Sequence, residues 1–202
     1  MINTSVQLLI ATSNRGKREE ISSLLAPLNL RLIFSDLLEN PPKVAETGST
    51  YAENALLKAR AYCARYALPA LADDTGLEVE VLDGRPGLHS ARYLPDPNAS
   101  DADRRRQLVS ELTSKPRPWT ARFVCSVAVV LPDSTCHLTF GQVRGEILPV
   151  ERGEGGFGYD RLFYLPELGK TMAELSLAEK NEYSHRARAV NEMLPYLRQS
   201  LL

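Results

Sequence analysis

Three observations predict an α/β protein. Strand-like and helix-like segments alternate from Val6 onward. The helical face between Tyr51 and about Tyr66 is small and Ala-rich, as a helix lying close on a sheet requires. Two alternating apolar runs, Arg122 to Leu131 and Cys136 to Val143, are joined by the turn Pro132-Asp133-Ser134 and read as a hairpin.

Val6 to Thr12 is the first strand, Lys17 to Leu25 a helix and Leu30 to Phe34 a second strand. The helix from Tyr51 is announced by Thr50-Tyr51-Ala52-Glu53, which fits a capping box, and by Ala52, Ala55, Leu56, Ala59, Tyr62 and Cys63 at three-to-four spacing. Leu68-Pro69 ends it, and Ala70-Leu71-Ala72 follows as a short buried strand. Ser100-Asp101-Ala102-Asp103 opens a helix through Leu112, and Ser176-Leu177-Ala178-Glu179 is another capping box. The last helix, Ser184 to Leu201, contains Pro195 and is expected to kink or split there. No internal repeat or low-complexity linker breaks the chain into separate parts.

Its 202 residues, 44% hydrophobic and 24% charged, suffice for one sizeable domain or two lobes sharing a core. The 24 basic and 25 acidic residues balance to a charge of −1, without the basic excess of a polynucleotide binder, so bound phosphates should belong to a small molecule. Cys63, Cys125 and Cys136 are odd in number and lack metal-ligand spacing, which argues against a disulfide framework or structural zinc and for a reducing compartment. The apolar stretch Val6 to Ala11 is far too short to span a bilayer and no basic segment precedes it, so a cytoplasmic protein without membrane association is expected.

The run Asp73-Asp74-Thr75-Gly76 has two readings. It is good turn chemistry, with Asp bonding its own backbone and Gly accepting positive φ. Together with Glu46 it also offers carboxylates for a hard, oxygen-only site that suits Mg²⁺, at the carboxyl end of a strand where open α/β sheets place ligands.

Two glycine loops invite the same question. Thr12-Ser13-Asn14-Arg15-Gly16-Lys17 joins a strand to a helix, so backbone amides, hydroxyls and Lys17 could face one anion; it is not a Walker A loop, and a plain turn is the alternative. Gly153-Glu154-Gly155-Gly156-Phe157-Gly158 matches G-x-G-x-x-G, but Tyr159 to Pro166 follows as a strand-like run where a dinucleotide site needs a helix. These glycines are read instead as permitting close backbone approach, with Phe157 either a stacking platform for a base or ordinary core. Lys180, His185 and Arg186 could read polar edges of a base, or be solvated charges and a core histidine.

Taken together the segments resemble the inosine triphosphate pyrophosphatases. The resemblance runs nearly end to end: Ala11 to Lys17, Glu46-Thr47-Gly48, Glu53-Asn54-Ala55 with Lys58, and Ala72 to Leu77. It continues through Gly87 to Tyr93, Gly156 to Asp160, Glu174-Leu175-Ser176, Lys180 and Ser184-His185-Arg186. It implies a mixed α/β fold in which residues 1–202 form one catalytic domain: two lobes around a long-stranded central sheet flanked by helices, an active-site cleft between them, and a homodimer. It also implies Mg²⁺-dependent hydrolysis of ITP, dITP or XTP to the monophosphate and pyrophosphate, which clears deaminated purines from the nucleotide pool.

By the same resemblance Glu46 and Asp74 hold Mg²⁺, and Asp74 takes a proton from the attacking water, one oxygen for each task. Asp73, pointing the other way on an extended segment, is read as structural or as supporting the metal ligands from behind. Thr12, Ser13, Asn14, Arg15, Gly16, Lys17 and Lys58 clamp the triphosphate, with Thr75 presenting a hydroxyl beside Asp74. Phe157 stacks on the base, Gly158 and Tyr159 complete its loop, and Asp160, Lys180, His185 and Arg186 shape edge recognition. A donor such as Arg186 or Lys180 would accept the 6-carbonyl of hypoxanthine and oppose the amino group of adenine.

The chain departs from the family pattern at Ser13 (for glycine), Thr75 (for serine) and Arg161 (for proline). The rival readings are a septum-inhibitor-type pyrophosphatase for pyrimidine or modified nucleotides, against which Ser184-His185-Arg186 argues, and a nucleotide sensor without turnover, which would not need Glu46 and Asp74. Glu78 and Glu80 are read as one face of a strand, solvated or facing a dimer partner, outside the site.

Overall fold

The computed structural model describes residues 6–202. Its strands are β1 (Gln7–Ile10), β2 (Arg31–Phe34), β3 (Ala70–Val79), β4 (Pro86–Gly87), β5 (Thr120–Val130), β6 (Cys136–Ile147), β7 (Phe163–Leu165) and β8 (Lys170–Thr171). Its α-helices are α1 (Arg15–Leu25), α2 (Tyr51–Tyr66), α3 (Asp101–Leu112), α4 (Leu177–Tyr183) and α5 (His185–Leu201). One mixed sheet runs β2-β1-β3-β5-β6-β7-β8, with β4 on β3. β1 is parallel to β2 and β3, whereas β3–β4, β6–β7 and β7–β8 are antiparallel. No helix among the described residues is long and apolar enough to cross a membrane.

The chain forms two compact units. The first comprises residues 1–74, 125–141 and 185–202, and the second 75–124 and 142–184.

In the first unit the two-residue period of the strands sorts apolar side chains onto opposite faces. Leu8, Ile10, Leu71, Cys125, Val127 and Val129 face Ile21 and Leu25 of α1 and Val190, Met193 and Leu197 of α5. Their neighbours Leu9, Ala11, Ala70, Ala72, Ala128 and Val130 face Ala55, Ala59, Tyr62 and Cys63 of α2. The Ala-rich stripe read from the sequence is therefore the face on the sheet. In the second unit Leu108 and Leu112 of α3 join Leu77, Trp119, Phe123 and Phe163 in one cluster, with the two Phe rings 4.4 Å apart at their centroids.

Several boundaries differ from the sequence reading. Asp73-Asp74-Thr75-Gly76 is not a turn: β3 runs unbroken through it. The strand pairings and the apolar flanks Leu71, Ala72, Leu77 and Val79, all buried, override local turn preference. β3 also ends at Val79, so Glu80 lies in a short 3₁₀ turn rather than on the strand. Glu78 bonds Arg122 and Glu80 bonds Thr120. Helix α1 begins two residues earlier than expected, because Asn14 caps it by accepting from the Lys17 amide at 3.0 Å.

At α2 only half of the capping box forms. Thr50 accepts from the Glu53 amide, while Glu53 turns back to the amide and hydroxyl of Ser49. Tyr159 to Leu162 forms turns, leaving only Phe163–Leu165 as strand. Pro195 does not split α5, which continues to Leu201 with Met193 and Leu197 buried on either side of the proline. Cys63 and Cys125 are buried, Cys136 is exposed, and none of the three is in a disulfide.

Gly141 lets β6 approach α5 closely. A Cβ there would overlap the His185 carbonyl oxygen and lie 2.6 Å from the Ala189 amide nitrogen, both backbone atoms that cannot turn aside. Gly141→Ala should destabilise the protein by about 1–3 kcal/mol or more, read as a lower urea midpoint at unchanged slope.

Candidate active site

Alternation along β3 sends Asp73 and Asp74 to opposite faces, and each meets its own cations. Asp74 meets α2. Asn54 and Lys58 stand one helical turn apart on that helix: Asn54 Nδ2 donates to Asp74 Oδ2 at 3.2 Å, and Lys58 Nζ lies 3.3 Å from Asp74 Oδ1. Lys58 Nζ also donates to Glu46 Oε1 at 3.0 Å. Asn54 is itself fixed, its Oδ1 accepting from the Gly48 amide at 2.8 Å.

Burial raises the Asp74 carboxyl above the ordinary range, with Glu46 adding to the effect and Lys58 and Lys17 opposing it. For Lys58, burial would lower the ammonium, but Asp74, Asp73 and Glu46 outweigh it and the net direction is up. The result is a carboxylate of enhanced basicity held between an amide donor and a firmly charged ammonium.

Asp73 meets the other two cations. Its Oδ2 lies 3.1 Å from Lys17 Nζ and accepts from Arg186 Nε at 3.0 Å. Arg186 Nη1 donates to Glu20 of α1. Asp73, Glu20 and Arg186 are all buried, and Arg186 is 1% exposed. Burial alone would raise Asp73, but Lys17, Arg186 and Lys58 hold it well below the carboxylate range.

The Thr12 to Lys17 loop precedes this group. Ser35 Oγ donates to the Thr12 carbonyl at 2.6 Å, and the Asn14 amide donates to Thr12 Oγ1 at 3.2 Å. Ser13, Asn14 and Arg15 are exposed, and Gly16 and Lys17 half-buried. Arg15 pairs with Glu19 at the surface. The first amides of α1 have no acceptor within the helix and carry its positive end, so the loop is suited to an anion. Thr75 is half-buried at the next position of β3.

In the second unit, Asp160 Oδ2 accepts from the Phe157 amide at 2.8 Å and from Lys180 Nζ at 2.7 Å. Lys180 Nζ stands 4.9 Å from the centroid of the half-buried Phe157 ring. Gly156, at φ +70°, is required because a Cβ would collide with the Asp160 side chain. Tyr159 is a buried strut whose hydroxyl donates to the Ser90 carbonyl at 2.9 Å. Arg161 donates to the Glu154 carbonyl at 3.0 Å and so closes the loop by a side-chain bond.

Sequence reasoning thus placed Glu46, Asp74 and Lys58 together, and Phe157, Asp160 and Lys180 together. Arg186, read as a base-edge donor, has its Nε bonded to Asp73 and its Nη1 to Glu20. His185 is buried beside it at the start of α5. Asn54 and Glu20 were not singled out as site residues. The spacing of Asn54 and Lys58 on one helix face could have found the first; nothing local marks the second, whose partner is far along the chain.

The donor set fits Mg²⁺. Among the described residues no three His, Cys, Asp or Glu side chains cluster as a closed metal cage. Mg²⁺ is ordinarily held by one or two carboxylates completed by phosphates and water, and Glu46 and Asp74 both reach the Lys58 ammonium, at 3.0 and 3.3 Å.

A family model described as the Ham1 family matches residues 8–196. The chain is 48% identical over 190 residues to a dITP/XTP pyrophosphatase of Geobacillus kaustophilus, covering 93% of this chain and 92% of that protein. It is 46% identical over 191 residues to a dITP/XTP pyrophosphatase of Thermus thermophilus, covering 94% and 90%. Among solved structures it is similar to a HAM1 protein from Coxiella burnetii, with TM-score 0.86, 36% identity and coverage of 96% and 100%.

The ion pairs of Asp73 predict a specific acid response. A depressed carboxylate contributes stability in full above its unfolded pKa, about 3.9, and loses it as pH falls toward the folded value. Asp73→Asn should cost about 3–5 kcal/mol near neutrality, because Arg186 loses a buried partner. It should also flatten the decline of stability below about pH 4, measured by urea unfolding across the acid range.

Proposed function

The chain belongs to the Ham1 family, and from that premise we propose that it hydrolyses non-standard purine nucleoside triphosphates, dITP, XTP and ITP, to the nucleoside monophosphate and pyrophosphate. The observation that carries the reading is Asp74: a buried carboxylate of raised basicity, oriented by Asn54, paired with Lys58 and accompanied by Glu46. A phosphate-binding sensor has no need of such a base.

In this reading Asp74 accepts a proton from water as the water oxygen bonds to the α-phosphorus. The bond from that phosphorus to the bridging oxygen breaks, and pyrophosphate leaves with the electron pair. Lys58, Lys17 and the amides at the start of α1 bear the charge that grows on the leaving group. Glu46 and Asp74 would hold Mg²⁺, which supplies charge neutralisation at the phosphates when bound. Asp73 directs Lys17, and Lys17, Arg186 and Lys58 keep Asp73 ionised.

Phe157 offers its ring to the base. Asp160 holds the Phe157 amide and Lys180 Nζ stands 4.9 Å from the ring centroid, so the carbonyl at position 6 is assigned to Lys180. A homodimer in the cytoplasm completes the proposal. It rests on the family resemblance and the odd number of cysteines, and the dimer is checked by light scattering.

Purified protein with Mg²⁺ should release pyrophosphate and monophosphate in equal amounts from ITP, dITP and XTP, and far less from ATP or GTP. Stepwise release of single phosphates, or tight ITP binding without turnover, would overturn the proposal. Chelation should abolish turnover and added Mg²⁺ restore it. Asp74→Asn should lower kcat by about a hundredfold or more, as loss of a general base does, with substrate still bound. Lys58→Ala should lower kcat by about a hundredfold, on the scale of removing one charge-stabilising donor.

A further inference from the structure

We infer that Asp101 and Arg105 of α3 are positioning residues for base recognition, acting through the backbone of Gly158. This inference rests on the reading that Phe157 receives the base. The two residues stand one turn apart on the same helix face. Asp101 Oδ2 accepts from the Gly158 amide at 2.7 Å, and Arg105 Nη1 donates to the Gly158 carbonyl at 2.7 Å.

The peptide joining Phe157 to Gly158 is thereby held at both edges, since the Phe157 carbonyl accepts from the Asp160 amide at 3.1 Å. The next peptide is held by Arg105. Gly158 sits at φ +58° with nothing near its absent Cβ, so glycine is needed there for its backbone conformation and not for room. Such a residue has a wide choice of conformations, and the two side chains of α3 remove that choice.

Arg105 is itself anchored. Its Nε and Nη2 form a fork on Glu151, at 2.8 and 3.1 Å to the two carboxylate oxygens. Burial and three bonds fix a guanidinium that is 7% exposed, and a lysine could not reproduce the fork. Asp101 is steadied by Arg104. The direction of the Phe157 ring is thus set from a helix that carries none of the substrate-contacting residues.

The test compares a substrate that has a base with a ligand that has none. In the full-length protein, Asp101→Ala and Arg105→Ala should raise KM for ITP about tenfold or more, as loss of a charge-assisted bond does. The change in kcat should be small, and the kcat/KM preference for ITP over ATP should narrow. The inhibition constant of inorganic tripolyphosphate, a base-free competitor, should stay the same. Asp101→Asn keeps an acceptor and should recover most of the loss. Arg105→Lys, which keeps charge and bulk, should not, and it serves in place of Arg105→Ala if that variant fails to fold.

Equal rises in KM for ITP and in the tripolyphosphate constant would show a general structural role and overturn the inference, as would unchanged KM and preference in folded variants. Turnover of ITP by the parent protein is measured first. Its absence would remove the functional reading and this inference with it, whereas failure of this inference alone appears only in the variants.

Discussion

The structure turns on two adjacent carboxylates in one buried strand. Ionised groups are costly to desolvate, and β3 buries both Asp73 and Asp74 within an apolar segment. Strand geometry separates them onto opposite faces, so each needs its own counter-charge from a different element. α1 and α5 supply Lys17 and Arg186 on one side, Arg186 being shared with Glu20, and α2 supplies Lys58 with the amide donor Asn54 on the other. The placement of three helices around the sheet is therefore also the placement of the charges.

The two aspartates are driven in opposite directions by the same physics. Asp73 has two cations in contact and is held ionised, while Asp74 has one ammonium, a neutral amide and a neighbouring carboxylate, and burial prevails. Environments that separate the acidities of neighbouring groups mark a division of labour. Asp73 is the fixed charge that organises its surroundings, and Asp74 is the group able to take a proton.

The second unit achieves order by different means. Its Phe157 loop has four glycines among the six residues 153–158, interrupted by Glu154 and Phe157, so the backbone there has wide intrinsic freedom. That freedom is removed by side chains from elsewhere: Asp160 and Lys180 before the ring, and Asp101 and Arg105 after it. Glycine allows the fold of the loop, and charged hydrogen bonds decide which fold it takes.

Local pattern determined much on its own. The Ala stripe of α2 and the alternation of the paired strands announced the α/β class. The runs Ala11 to Lys17, Ala72 to Leu77 and Gly156 to Asp160 carried the resemblance to the family whose model the chain matches. Tertiary structure decided what local chemistry left open. Asp73-Asp74-Thr75-Gly76 satisfies turn rules, yet sheet pairing and burial of its flanks draw it into β3, because ladder bonds and apolar contacts outweigh a local turn preference. The ion pairs of Arg186 were fixed only when Asp73 and Glu20, distant in sequence, were folded against it. A charge buried at that depth must find partners of opposite sign, and the order of residues along the chain does not say which will be near.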